Sequence, residues 1–276
     1  MSERDERCAP ILANKDYAAP SEFTPENLLR EARRQKALQA ASVPAVCVLD
    51  PDGDLVRQLK RNQRACGDPN WACYHTELYR VSEGPLELGL IGCAVGASFA
   101  ILVAEQLFAS GCLLLISITS AGQLLELRPP PYFILIDKAL RDEGTSYHYL
   151  APTEFSYASD ALVDLLVQTF ATQPVPIIRG ATWTTDAPFR ENAAAIAGMK
   201  NKGLLAVEME AAALYAFAAA RNKPVICFAH VTNQMARIEG DFEKGEASGT
   251  VDALNVIRAT AEAWRKTLPH PDPQAI

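Results

Sequence analysis

Six short runs constrain this chain more than anything else in it. They are VPAVCVLD (43–50), LELGLIGCAV (86–95), CLLLISIT (112–119), YFILIDKAL (132–140), VPIIRGATW (175–183) and KPVICFAHV (223–231). Several are apolar throughout instead of alternating, which marks strands buried on both faces. A more polar run, WACYHTELYRV (71–81), reads as a further strand that turns at Ser82–Pro85 into the second. Helical stretches stand between them: 24–41, opened by Thr24 as N-cap and Pro25 at the first helical position, then 54–62, 96–110, 157–170, 189–200, 207–222 and 249–267. Residues 140–156 read as polar loop. Strands alternating with helices predict an α/β domain, its central sheet covered by helices on both faces. No repeat or linker divides the 276 residues. The expected organisation is an N-terminal arm over 1–22 and one domain over 23–276.

The charge balance narrows the partners. A net charge of −7 argues against nucleic acid or an anionic membrane surface. No apolar run reaches the roughly 18–20 residues of a membrane span. The opening MSERDERCAP has no apolar core of the secretory type. A cytoplasmic protein is expected. The seven cysteines are odd in number and lack a C-x-x-C pair, so they read as reduced thiols. The four histidines show no ligand spacing, and no metal is expected.

Ligands of such sheets collect at the carboxyl ends of strands. Those ends carry Asp50–Gly53, Gly92–Gly96, Thr119–Gly122, Ala181–Asp186 and Thr232–Asn233. One further segment stands out. Glu208 and Glu210 flank Met209 near the start of an otherwise apolar helix. Two residues apart on a helix they point about 200° from each other. One suits the helix start, where an acid is favoured. The other suits a cleft, where a carboxylate accepts hydrogen bonds from a sugar diol and Met209 offers an adaptable apolar contact.

AVEMEAAALYAFA resembles the signature helix of the nucleoside phosphorylase family, which holds purine nucleoside phosphorylases, uridine phosphorylases and methylthioadenosine nucleosidases. Three more segments are similar in the same order: GLIGCAVGASFAILVAEQLFASGCLLLISITSAGQL, GATWTTDAPFRE and CFAHVTN. The resemblance implies a single domain with a mixed, partly barrel-like sheet flanked by helices. It implies a homo-oligomer, dimer, trimer or hexamer, whose neighbours complete each other's sites. It implies cleavage of the bond from C1′ to the base nitrogen of a nucleoside, without a metal or organic cofactor. Glu210 would accept the ribose hydroxyls, Met209 would pack on the sugar, and Glu208 would sit at the edge of the same site. Asn233 stands where several members have the Asp that protonates the base. An amide hydrogen-bonds a base but is no carboxylic acid. Phe189 would stack on the base and Arg190 would reach its carbonyl or lie in solvent. Trp183 would wall the pocket or simply pack, and Asp186 would order the loop.

The chain departs from the family where phosphate binds. Gly53 and Ser117 occupy positions of two family arginines, and Tyr74 or His75, less readily Arg80, lies near a third. Charge-assisted hydrogen bonds contribute roughly 1.5–3 kcal/mol each, so two missing arginines weaken a dianion site considerably. Ser120 is retained. The family weight favours phosphorolysis, with inorganic phosphate as co-substrate. The missing arginines favour hydrolysis, with Asp50 or Asp52 activating water. A non-catalytic nucleoside-binding member is the third reading.

Overall fold

The computed structural model describes residues 9–173, 175–235 and 239–268. Among these residues ten strands form one sheet. They are β1 (Val46–Asp50), β2 (Ala65–Gly67), β3 (Tyr79–Glu83), β4 (Leu86–Gly92), β5 (Leu114–Gln123), β6 (Tyr132–Asp142), β7 (Phe155–Tyr157), β8 (Ile177–Thr185), β9 (Ala206–Glu208) and β10 (Val225–Asn233). Seven α-helices surround them: α1 (Pro25–Lys36), α2 (Asp54–Arg61), α3 (Ala97–Ala109), α4 (Asp160–Phe170), α5 (Ala193–Asn201), α6 (Ala211–Arg221) and α7 (Thr250–Arg265).

The sheet closes on itself. β10 pairs with β6, β6 with β8, β8 with β9, β9 with β5, and β5 again with β10. This five-strand ring is mixed: β10 runs parallel to β5 but antiparallel to β6. From β5 an open wing continues through β1 and β4, both parallel, to the antiparallel β3 and β2. Closure removes two edges that would otherwise expose unpaired backbone.

Helix α6 explains why the alanine-rich segment is so apolar. Ala211 through Phe217 are all buried, so this helix has no solvent face over its first two turns. Tyr215 supplies the one polar group there. Its hydroxyl donates to the Ile136 carbonyl at 2.5 Å and accepts from Cys227 N–H at 3.0 Å, tying α6 to β6 and β10.

Several expected elements shift, each for a physical reason. The strand expected over 112–119 is longer: β5 runs on to Gln123, because ring closure gives Gly122 and Gln123 partners in β9 and β10. The helix expected over 207–222 begins only at Ala211, and Ala206–Glu208 is a strand. The strand expected over 71–81 is confined to its end, since only residues 79–83 find a partner in β4. α1 stops at Lys36, where Ala37 adopts the left-handed conformation. The loop expected over 140–156 contains the end of β6 and the start of β7. The helices expected from 157 and 189 begin at Asp160 and Ala193.

Among the described residues no helix is long and apolar enough to cross a membrane. Nor do His, Cys, Asp and Glu gather there in threes to hold a metal. Cys8 lies outside the described residues; the other six cysteines are free thiols.

Candidate active site

The carboxyl ends of β1, β4, β5 and β10 meet at one end of the sheet, and two buried carboxylates are set there by the β9–α6 junction. Glu208 closes β9. One of its oxygens accepts from Glu210 N–H and Ala211 N–H, each at 2.7 Å, and so caps α6 from the preceding strand. The other accepts from the hydroxyls of Thr182 and Thr184 on β8. Thr184 Oγ1 in turn accepts from Ala212 N–H at 2.9 Å. Burial pushes the Glu208 carboxyl up, and these donors offset part of that. These four donors take up the lone pairs of Glu208 inside the protein, where it serves as a helix cap.

Glu210 is the N-cap residue of α6 and is 1% exposed. Its oxygens accept one bond each, from Gly96 N–H and from Thr119 Oγ1, both at 2.7 Å. Two of its roughly four lone-pair positions remain for other donors. Burial, then the charge of Glu208, pushes its carboxyl up to about 7. Met209, between the two acids, stays partly open. Gly96 has φ +87°, a conformation that glycine adopts without strain, and this turns its N–H toward Glu210.

Residues alternate along β5, so Thr119 and Ser120 face opposite sides. Ser120 lines a small cavity of about 30 Å³ with Asp50, Asp52, Asp54, Ile118, His230 and Lys244. That is room for one or two water molecules. Lys244 reaches across from the loop after β10 and bonds Asp52 at 3.0 Å and also Asp54. These bonds outweigh burial and raise the Lys244 ammonium. Burial pushes Asp54 up, but Lys244 and Arg57 outweigh it and hold its carboxyl below the ordinary value. Asp50 accepts from Val56 N–H at 2.9 Å, fastening the turn to α2. Burial, helped by the neighbouring Asp52 and Asp54 charges, raises its carboxyl to about 7. His230 stacks on Phe133 with ring centres 4.4 Å apart. Burial first, then Lys244, lowers its imidazole to about 4, so it is neutral at neutral pH.

The remaining expected residues divide. Asn233 ends β10 opposite Gly122, two residues beyond Ser120. Its Oδ1 accepts from Met235 N–H at 2.9 Å and its amide donates to Thr232 Oγ1 at 3.2 Å. Ser117 is buried with its hydroxyl unpartnered, and alternation puts it on the Thr119 side, away from the small cavity. His75 is exposed in the loop before β3 and is not among the cavity's walls. Arg80 bonds Asp68, Glu87 and the Ser42 carbonyl, a scaffold role. Phe189 is 99% exposed and Arg190 is exposed, both at the tip of the turn after β8. Trp183 is buried and donates to Asp142 at 2.9 Å, so it packs. Asp186 accepts from Gly144 N–H at 2.8 Å and orders the loop.

Sequence reasoning missed Asp54, His230, Lys244 and Arg57, and named Thr119 only as a strand end. Asp54 directly follows the Asp50–Gly53 segment already singled out. Lys244 lies in a polar stretch without period, and nothing local pointed to it. Arg57 lies over the first missing arginine: a Cβ at Gly53 would come within 2.8 Å of its Nη1. Its Nη2 is held by the Asp52 carbonyl at 2.7 Å and Asp54 at 2.6 Å.

A closed mixed barrel flanked by helices has known relatives. The sequence profile of the phosphorylase superfamily matches residues 45–265. The chain belongs to that superfamily. Solved structures agree on the fold. A uridine phosphorylase from Vibrio fischeri ES114 is 21% identical, with a TM-score of 0.67, covering 82% of this chain and 93% of that one. An AMP nucleosidase from Bacteroides thetaiotaomicron is 16% identical, with a TM-score of 0.67, covering 88% and 98%. A purine nucleoside phosphorylase from Toxoplasma gondii is 16% identical, with a TM-score of 0.68, covering 82% and 93%. No curated protein matches the sequence. Phosphorylases and nucleosidases thus share this superfamily fold, and both are enzymes of nucleoside metabolism.

Proposed function

We propose that the protein hydrolyses the N-glycosidic bond of a nucleoside, with water as the attacking group. One observation carries this reading. The small cavity beside Ser120 has three carboxyls, one ammonium already shared by two of them, and a neutral histidine. Such a lining repels a phosphate dianion and suits a water molecule. In this reading Glu210 and Met209 hold the ribose across the carboxyl end of β5, its hydroxyls taking the free lone pairs of Glu210 on the Thr119 side while C1′ turns to the Ser120 side. Water sits among Asp50, Ser120 and Lys244. Asp50, with a carboxyl poised near neutrality, accepts the proton as the water oxygen bonds C1′. The C1′–N bond breaks with its electron pair on the base, which takes a proton from solvent. Asn233 steadies the base with its amide, since it has no acidic proton to give. No cofactor is required.

Arg57 favours a second reading, phosphorolysis, if its guanidinium turns from Asp54 to phosphate. Product analysis separates the two. A panel of purine and pyrimidine nucleosides is incubated with and without phosphate. Free base and ribose in both cases supports hydrolysis. Ribose 1-phosphate, formed only when phosphate is present, overturns it. No base from any nucleoside leaves a binding protein. We extend the reading to assembly: Phe189, exposed in a single chain, becomes buried or base-facing in a homo-oligomer, which light scattering of wild type and Phe189→Ser tests.

A further inference from the structure

A second cavity, larger than the one beside Ser120, lies elsewhere on the molecule. It measures about 720 Å³ and lies along the outer side of α3, between the start of α1, the turn at Thr145–Tyr149 and the end of α6. That volume lies within the range of small-molecule sites. One wall consists of residues 20–28, which precede the region matched by the superfamily profile, 45–265. This wall therefore lies outside the residues that the superfamily profile matches. Residues before α1 are fixed in place by Lys15, whose ammonium meets His148 Nδ1 at 2.7 Å, and by Tyr17, which donates to the Tyr147 carbonyl at 3.3 Å.

The lining has a definite chemistry. Phe23, Phe108 and Tyr149 give it aromatic surface, and Phe23 is 72% exposed. At the α6 end stand two cations. Arg221 is held by Glu105 at 3.4 Å, and Glu105 also accepts from the Tyr149 hydroxyl at 3.0 Å. Lys223 has no carboxylate partner among the described residues; its ammonium lies 5.5 Å from the centre of the Phe108 ring. Gln106, another wall residue, is 1% exposed, and its side-chain oxygen has no hydrogen-bond partner. A buried acceptor without a donor is costly, and a ligand N–H relieves it.

We propose that this cavity is a second ligand site, separate from the glycosidic centre, which takes a flat aromatic molecule bearing one anionic group and an N–H donor. The ring lies on the aromatic wall, the anion meets Lys223, and the N–H turns to Gln106 after a small side-chain adjustment. Stacking against aromatic faces and one charge-assisted hydrogen bond supply the recognition. The proposal rests on the cavity alone and holds whichever nucleoside reaction the enzyme performs.

Indole-3-acetate is a suitable probe, with tryptamine as the same ring carrying a cation. Binding to the full-length protein is followed by calorimetry. Saturable binding of indole-3-acetate is expected, with tryptamine at least about tenfold weaker. The exposed Lys223→Met should weaken indole-3-acetate about tenfold, the loss of one charge-assisted bond. Phe23→Ser should weaken both indoles. Glu210→Gln should bind indole-3-acetate as wild type does, which separates this site from the glycosidic centre. No saturable binding, equal affinity for tryptamine, or no effect of Lys223→Met would overturn the proposal. So would sedimentation showing that Leu102→Glu converts a stable oligomer to monomer, because the cavity would then be an interface between copies of this chain.

Discussion

Replacing Glu210 by Gln separates stability from activity in a way that depends on pH. The wild-type carboxyl is buried, and its folded-state value is raised from 4.5 to about 7. The sign follows from proton linkage. Below about 4.5 the group is protonated in both states and contributes nothing. Between 4.5 and 7 the folded protein binds more protons than the unfolded chain, so stability falls as pH rises. Above 7 the full cost is present. It amounts to roughly 2.5 pH units at 1.36 kcal/mol each, or about 3 kcal/mol as an upper bound. Gln is nearly isosteric. Its oxygen can keep the Gly96 N–H, and its amide can donate to Thr119 Oγ1, whose hydroxyl turns to the Ser120 carbonyl 3.3 Å away. At pH 5 the variant should therefore melt close to wild type. At pH 8 it should melt higher, by up to about 6–10 °C for a chain of this size. Activity should fall in parallel by about 10²–10⁴, because two charge-assisted bonds to ribose hydroxyls are lost. Calorimetry at both pH values with a base-release assay decides it. A melting difference independent of pH would refute the buried, titrating carboxyl, and normal turnover would refute the ribose role.

Thr184→Val removes a donor to Glu208 and the acceptor of Ala212 N–H, leaving buried groups unpartnered, and should cost about 2–4 kcal/mol in urea melts; a loss below about 0.5 kcal/mol would sink the capping account. Lys244→Met deprives Asp52 and Asp54 of their shared cation, so their charges raise the neighbouring Asp50 carboxyl further; the acid limb of the pH–rate profile should move to higher pH, and an unmoved limb argues that Lys244 only tethers its loop. Asn233→Ala should slow release of some bases more than others, as read from kcat/KM across a nucleoside panel, whereas a uniform loss marks Asn233 as a turn residue. Asp50→Asn should abolish hydrolysis while leaving nucleoside binding, measured by calorimetry, within about threefold; full turnover would remove Asp50 as the base.

The sequence by itself determined the class of fold and the neighbourhood of the site. Runs such as CLLLISIT and VICFAHV have no polar face to give to water, so they become strands covered on both sides, and every strand end it named that lies at β1, β4, β5 or β10 meets at one end of the sheet. The Glu-Met-Glu segment was conspicuous because carboxylates are rare among apolar residues. Tertiary structure alone decided which carboxylate does what. Glu208 and Glu210 are alike in sequence, yet the two hydroxyls facing Glu208 come from β8, 24 and 26 residues away, and the N–H facing Glu210 comes from Gly96, 114 residues away. The charge of the small cavity was likewise invisible, because Lys244 lies 190 and 192 residues from the acids it joins. Local pattern registers burial and period. A hydrogen bond between distant residues exists only once the barrel has closed and brought the strand ends together.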